Sequence, residues 1–128
     1  MDIKVETTTD FHELAKLNET VQTWHHDSFP DEFKPFDIRA MEKAFEKMLQ
    51  GDNVFAFIAR YQNKPIGYLF GYVKTRPDSA FQYEKTVLHI DQVVVSEEYQ
   101  KSGVGQLLMG EAHKLSKTKQ IKEVQLDF

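Results

Sequence analysis

The segment from residue 93 to residue 106 carries the residue types of an anion-binding turn. It runs from Val93, Val94 and Val95 through a polar connection to Gly103 and Gly105, and then into an apolar-periodic stretch. A turn between a strand and a helix leaves the first backbone N–H groups of the helix without acceptors, at the positive end of the helix dipole. The sequence therefore predicts that this turn binds a phosphate group of a ligand.

The residues around the two glycines support the same interpretation. Glycine lets a ligand approach the backbone closely, Lys101 adds a positive charge, and Gln100 and Ser102 add hydrogen-bonding groups. The alternative is that the glycines only let the chain turn. Two known phosphate-binding motifs do not fit. The motif G-x-x-x-x-G-K-[ST] has its lysine after the glycines, whereas Lys101 and Ser102 precede them here. The motif G-x-G-x-x-G ends in a glycine, where this chain has Leu108.

His25, His26 and Asp27 suggest a metal site by residue type. Neighbouring residues of a helix point about 100° apart, so this histidine pair does not chelate as an i, i+4 pair does. The chain also contains no H-E-x-x-H motif. We therefore expect no metal cofactor.

Composition bounds the class of protein. The chain has 128 residues, with 16 basic and 20 acidic side chains and no cysteine. The acidic balance disfavours nucleic-acid binding, and the lack of cysteine excludes thiol catalysis, thiolate metal sites and disulfides. No apolar run approaches the roughly 20 residues that span a bilayer, and the N-terminus has no signal-peptide pattern. One cytoplasmic domain, residues 1–128, with no nucleic-acid or membrane partner is expected.

Hydrophobic periodicity predicts the elements that must position these residues. Alternating or β-branched runs predict strands at residues 3–9, 53–61, 66–75, 86–95 and 121–128. Helical spacing predicts helices at residues 11–25, 38–50 and 103–117. The second and third strands form an antiparallel hairpin, and the last two lie parallel because a helix joins them. The predicted fold is α/β, a mixed sheet covered by helices in the order βααβββαβ.

Residues 100 to 105, Gln-Lys-Ser-Gly-Val-Gly, resemble the Q/R-x-x-G-x-G/A segment of the GNAT superfamily of N-acetyltransferases. The strand before this segment, the helix after it and the upstream order of elements are also similar to that family. The resemblance implies a GNAT-like fold that binds acetyl-CoA as acyl donor and is truncated after its last strand, without the usual further helix and hairpin. The implied CoA-binding residues are Val93, Val94, Val95, Gln100, Lys101, Ser102, Gly103, Val104, Gly105 and Gln106.

The resemblance also implies roles around the reacting atoms. Asp91 falls where many family members carry a strand glutamate, so it is the implied general base. His89 shares its face of the strand if the strand is regular. The connection between the first two helices often lines the acceptor pocket in this family. The implied acceptor contacts are His25, His26, Phe33, Phe36 and His89. For those in the connection, the alternative is a loop whose aromatic side chains close over the core.

The activity that the resemblance implies is transfer of an acetyl group from acetyl-CoA to a primary amine by direct attack in a ternary complex. The acceptor is a small molecule or a peptide. The alternatives are a non-catalytic acyl-CoA binding or assembly module and, third, a nucleotide-binding regulator. The uncovered edge of the last strand also favours pairing with a second copy of the chain.

Overall fold

A computed structural model describes residues 1–127 of the chain. The strands are β1 Ile3–Thr7, β2 Val54–Tyr61, β3 Lys64–Arg76, β4 Lys85–Val95 and β5 Glu123–Leu126. The helices are α1 Phe11–Leu17, α2 Glu19–Ser28, α3 Ile38–Leu49 and α4 Val104–Thr118, and a short 3₁₀ turn, Glu97–Tyr99, lies between β4 and α4.

The strands form one mixed sheet in the order β1-β2-β3-β4-β5. The first four strands pair antiparallel with their neighbours, whereas β4 and β5 pair parallel. Gln62 and Asn63, which join β2 to β3, have φ values of 51° and 65°, as a two-residue type I′ connection requires. The predicted hairpin and the predicted parallel βαβ unit are both confirmed.

The first predicted helix, residues 11–25, is two helices in the structure. They meet at Asn18, whose side chain turns inward, and its Nδ2 donates a hydrogen bond to the buried Tyr68 hydroxyl over 2.8 Å. The second of these helices also continues past His25 to Ser28. Periodicity misses the break because the apolar spacing continues from Leu14 to residue 21 on both sides of it.

Helices cover both faces of the sheet. On one face, α4 buries Leu108 against Leu69 and Leu88 of the sheet. On the other face, α1 and α3 bury Leu14 and Phe45. Burying such a side chain is worth about 1.5–3 kcal/mol, so these two apolar clusters hold β4 between α4 and the α1–α3 layer.

A β-bulge at Asp91 re-aims the second half of β4. Phe70 pairs with Gln92 and the next residue, Gly71, pairs with Ile90, so Asp91 has no opposite residue on β3. Even-numbered residues of β4 pack toward α4 before the bulge, and odd-numbered residues do so after it. The condition of a regular strand, on which His89 and Asp91 would share one face, is therefore not met, because a bulge adds one residue to one strand only.

Within residues 1–127, no helix is both long enough and apolar enough to span a lipid bilayer.

Candidate active site

The turn before α4 depends on left-handed backbone conformations. Lys101 has φ 70° and Gly103 has φ 83°. Gly103 is the N-cap of α4, and its carbonyl accepts the first helical hydrogen bond, from Leu107 N–H, over 3.1 Å. Glycine adopts this conformation at little cost because it has no Cβ. The geometry of the turn therefore explains why residue 103 is glycine.

The turn leaves a set of backbone N–H groups without acceptors. Gln100 N–H donates to Glu97 O over 3.3 Å and Ser102 N–H to Tyr99 O over 3.2 Å, so these two amides are used within the chain. Among the residues that the structure describes, the amides of Lys101, Gly103, Val104, Gly105 and Gln106 donate to no backbone carbonyl. We call these N–H groups the amide cradle. The ligand contacts predicted for Gln100 and Ser102 stay predictions, and the backbone N–H groups of these two residues are not counted in the amide cradle.

The chain's own packing gives no reason for glycine at residue 105. Gly105 does not have a positive φ, and a Cβ at this position would meet no atom within 4 Å. Glycine inside a helix is about 1 kcal/mol less favourable than alanine. The alternative that both glycines serve only the turn explains Gly103 and leaves Gly105 without a structural reason.

Beside the amide cradle, β4 has an open edge. β5 ends at Leu126, opposite Ile90, and the following Asp127 N–H donates to Ile90 O over 3.1 Å. Beyond this point, residues 91–95 of β4 have no strand partner on the β5 side within residues 1–127. A free strand edge presents N–H and C=O groups that an extended ligand can pair with.

The backbone of β4 alternates between this open edge and β3. Ser96 N–H donates to Ile66 O at the start of β3 over 2.9 Å. Because backbone groups of successive strand residues point to opposite sides, the N–H and C=O groups of Val93 and Val95 face the open edge, whereas those of Val94 face β3. The ligand contacts predicted for Val93, Val94 and Val95 stay predictions, and of these three residues only Val93 and Val95 turn their backbone groups to the open edge.

The structure brings His89 and Asp91 together with Asp127, a residue that the sequence analysis did not single out. Their side-chain nitrogen and oxygen atoms lie within 4.8 Å of one another. His89 is 9% exposed, and its Nε2 lies 3.5 Å from Asp127 Oδ2. The ring of Tyr72 packs against the imidazole with 4.8 Å between centroids. A partly exposed carboxylate, Asp91, thus lies where β4 and β5 separate.

Comparison with known proteins shows the family of this chain. The family model described as Acetyltransferase (GNAT) family matches residues 18–128. This chain belongs to the GNAT acetyltransferase family. Among curated proteins, no relative matches it.

Solved structures share the GNAT fold of this chain at low sequence identity. A tetramutant of the BH1408 protein from Bacillus halodurans is 21% identical with a TM-score of 0.86, over 100% of this chain and 83% of that one. An acetyltransferase from Vibrio fischeri is 21% identical with a TM-score of 0.75, over 98% and 94%. The aminoglycoside N-acetyltransferase AAC(6')-Iy, in complex with CoA, is 16% identical with a TM-score of 0.70, over 99% and 77%.

Behind Asp91, this GNAT protein contains a buried hydrogen-bond chain. Asn18 Nδ2 donates to the Tyr68 hydroxyl, which donates to Gln92 Oε1 over 2.5 Å. Burial raises the pKa of the Tyr68 hydroxyl above its usual range; the Asn18 hydrogen bond lowers this pKa, and the charge of Asp91 raises it. Tyr68 is therefore a neutral hydrogen-bond donor that orients Gln92, the residue after the bulge. In the sequence, the sign of this buried hydrogen-bond chain is Asn18, a polar residue on the apolar stripe of a helix.

The predicted acceptor contacts of this GNAT protein fall into separate groups. The His25 and Phe33 rings stack with 4.6 Å between centroids, and His26 Nδ1 lies 2.8 Å from Phe33 O. These residues lie on α2, which has no fully buried side chain, and on the connection after it. Phe36 is half-buried and does not belong to this aromatic pair. His89 lies elsewhere, beside Tyr72, Asp91 and Asp127.

Proposed function

We propose that this GNAT protein transfers an acetyl group from acetyl-CoA to a primary amine by direct attack in a ternary complex. The observation that carries the proposal is the amide cradle at the start of α4, beside the open edge of β4. A protein of the same fold whose structure contains CoA, an aminoglycoside N-acetyltransferase, supports the choice of ligand.

The amide cradle suits the diphosphate of CoA. Its N–H groups lie at the positive end of the α4 dipole, where an anion is stabilised without a metal ion. The exposed Lys101 carries a mobile positive charge within the same turn. The absence of a side chain at Gly105 leaves space for phosphate oxygens to reach the backbone. The chain as a whole has a formal charge of −4, so local donors and not the net charge attract the ligand.

The open edge of β4 suits the pantetheine arm. The backbone groups of Val93 and Val95 face outward there, and they can exchange hydrogen bonds with the two amide groups of an extended arm as an added strand would. The side chains of these valines pack toward α4, so only their backbone is available to the ligand. With the arm along this edge, we expect the thioester to lie near Asp91.

The chemistry then needs a base near the thioester carbonyl. A lysine-type amine has a pKa of about 10.4 and is protonated at neutral pH, so we assign Asp91 as the group that removes its proton, directly or through water. The amine nitrogen bonds to the thioester carbon, and the Val93 N–H stabilises the oxyanion. Collapse of this intermediate breaks the carbon–sulfur bond, the attacking nitrogen loses its extra proton as the amide forms, and the departing CoA thiolate takes up that proton.

The acceptor is a small-molecule or peptide amine. Because the chain has a net charge of −4, it attracts an amine in its cationic form. The stacked pair of His25 and Phe33, together with His26 and Phe36, supplies the proposed acceptor surface. The outer edge of β5, where Leu126 is exposed, is the proposed contact with a second copy of the chain.

Thermal-shift titration followed by a thiol-release assay tests the proposal. The midpoint temperature of thermal unfolding should rise with the logarithm of the acetyl-CoA or CoA concentration and should not change when ATP or NAD is added. Thiol release from acetyl-CoA should then require an amine from a panel of cationic acceptors. An equal shift with ATP would instead identify a nucleotide-binding protein. A shift with acetyl-CoA and no thiol release with any amine would identify a non-catalytic acyl-CoA binding module.

A further inference from the structure

The side chains of His89, Asp91 and Asp127 meet where β4 and β5 separate, in a combination that suits a metal ion. Within residues 1–127 they form the one group of histidine and carboxylate ligands whose donor atoms all lie within 4.8 Å of one another. We propose that these three residues bind a divalent transition-metal ion such as Zn²⁺. The sequence predicted no metal cofactor because the adjacent histidines of α2 do not chelate as an i, i+4 pair does and no H-E-x-x-H motif is present.

The buried imidazole is the observation that points to a ligand. His89 is 9% exposed, and its Nε2 is fully buried without a hydrogen-bond partner. An unpartnered polar atom in such a place destabilises the folded chain unless a ligand satisfies it. Asp127 Oδ2, at 3.5 Å, is too distant for an ordinary N–H···O hydrogen bond. A metal ion between the two atoms would satisfy both of them.

The distances fit a metal ion better than they fit a direct bond. Zn²⁺ binds imidazole nitrogen and carboxylate oxygen at about 2.0–2.2 Å, so two ligand atoms of a tetrahedral site lie about 3.4 Å apart. The separation of His89 Nε2 and Asp127 Oδ2 is 3.5 Å. The Asp127 side chain is 73% exposed and Asp91 is half-buried, so both carboxylates have room to rotate and complete the site. Water fills the fourth position.

The charges and the ligand types select the class of ion. Two carboxylates and a neutral imidazole carry a charge of −2, which a divalent cation balances. None of the ion pairs formed within residues 1–127 includes Asp91. Imidazole with carboxylates favours Zn²⁺, Ni²⁺, Co²⁺ or Cu²⁺ over Mg²⁺ and Ca²⁺. The site therefore takes a transition metal.

Metal binding has a direct consequence, which rests on the proposed function. A Zn²⁺ ion on the Asp91 carboxylate occupies the lone pair that would accept the amine proton. The bound ion also blocks the approach of a cationic acceptor to the thioester. Zn²⁺ is therefore a reversible inhibitor that competes with the amine and does not compete with acetyl-CoA.

Isothermal titration with Zn²⁺ tests the site itself, without any activity measurement. The unmodified chain should bind about one Zn²⁺ per molecule, and His89→Gln and Asp127→Asn should each weaken binding by about tenfold or more. His25→Gln, which disrupts the adjacent histidine pair of α2, is the matched control and should leave binding unchanged. Visible absorption of bound Co²⁺ should disappear in the same two variants.

Several results would overturn the inference. The first is that the unmodified chain binds no stoichiometric Zn²⁺. The second is that Asp127→Asn binds Zn²⁺ as tightly as the unmodified chain, and the third is that His25→Gln loses Zn²⁺ binding. Asp127 is exposed, so its variant is informative even if His89→Gln, in the buried position, fails to fold. A chain that binds acetyl-CoA but no Zn²⁺ would reject the metal site alone. A chain that binds Zn²⁺ but not acetyl-CoA would reject the proposed function and leave the metal site standing.

Discussion

The side-chain amide of Gln100 donates a hydrogen bond to the main-chain carbonyl of Val95 over 3.3 Å. Val95 is the last residue of β4, and Gln100 directly follows the 3₁₀ turn. The bond therefore ties the end of the open strand edge to the start of the turn that carries the amide cradle. The two surfaces proposed to hold one extended ligand are linked by this contact.

Removing this contact should affect ligand binding more than stability. Gln100→Ala deletes one exposed hydrogen bond, which is worth about 0.5–1.5 kcal/mol, so we expect CoA to bind about three- to tenfold more weakly. Gln100→Glu should bind CoA still more weakly, because it loses the donor and adds a negative charge near the diphosphate. Calorimetric titration with CoA measures both variants. Unchanged affinity in Gln100→Glu would show that this residue is remote from the ligand.

Replacing the proposed base should slow catalysis in a pH-dependent way. Asp91→Asn keeps the size of the side chain and removes its ability to accept a proton, so we expect turnover to fall by about 10²–10⁴-fold at neutral pH. The deficit should shrink as pH approaches the amine pKa of about 10.4, because the acceptor then loses its proton to solvent. Initial rates of thiol release across the pH range measure this effect.

The same substitution on the surface provides the control for Asp91. Asp31 is exposed in the connection between α2 and α3, so Asp31→Asn changes the net charge equally and should leave the rates unaltered. A pH–rate profile for Asp91→Asn with the shape and height of the unmodified profile would remove Asp91 from the mechanism.

Tyr68 should contribute to stability through its buried hydroxyl. Tyr68→Phe leaves Asn18 Nδ2 and Gln92 Oε1 without their partner, so we expect the free energy of unfolding to fall by about 1–3 kcal/mol. Tyr83→Phe, at an exposed position, should change it by less than about 0.5 kcal/mol. Urea denaturation measures both. Equal small effects in the two variants would mean that the buried hydrogen-bond chain is energetically neutral.

The raised pKa of Tyr68 also fixes the sign of its pH dependence. Burial raises the folded-state pKa above the unfolded value of about 10. The associated stability is therefore fully present below pH 10 and is lost as pH rises through the higher folded value. Between neutral pH and pH 11, the unmodified chain should lose more stability than Tyr68→Phe. An identical loss of stability in the two proteins would contradict a raised pKa of the Tyr68 hydroxyl.

Much of the fold could be predicted because it follows from local patterns. The hairpin of β2 and β3 has a short connection between two runs of apolar and aromatic residues, and the strand, turn and helix of residues 85–118 show a change from a strand pattern to helical spacing. The break at Asn18 was missed because its cause is a tertiary contact with Tyr68, 50 residues away in sequence. Such contacts override local preference.

The site could be predicted only in part, for a related reason. The turn and its glycines are contiguous in sequence, and so they are visible there. The bulged strand β4 carries no glycine or proline at Asp91 that would mark the bulge, and the glycine at the register shift, Gly71, lies on the partner strand β3. The meeting of His89 with Asp127 depends on the register of β4 against β5, and a long crossover connection does not set that register. Residues from distant strands were therefore found only in the structure.

The amide cradle is the central claim, and Gly105→Glu tests it most directly. A Cβ at Gly105 or at Gly110 would meet no atom within 4 Å, so the same substitution fits at both positions of α4. Replacing a helical glycine by glutamate should stabilise either variant by up to about 1 kcal/mol. Only the carboxylate at residue 105 would lie among the cradle amides and repel a diphosphate.

Calorimetric titration of these two variants with CoA therefore separates ligand binding from folding. We predict that Gly105→Glu binds CoA at least about tenfold more weakly, a loss of about 1.4 kcal/mol, while its thermal midpoint stays level or rises. Gly110→Glu should bind CoA like the unmodified chain. If Gly105→Glu also bound CoA with unaltered affinity, the diphosphate would not lie on these amides and the account would be contradicted.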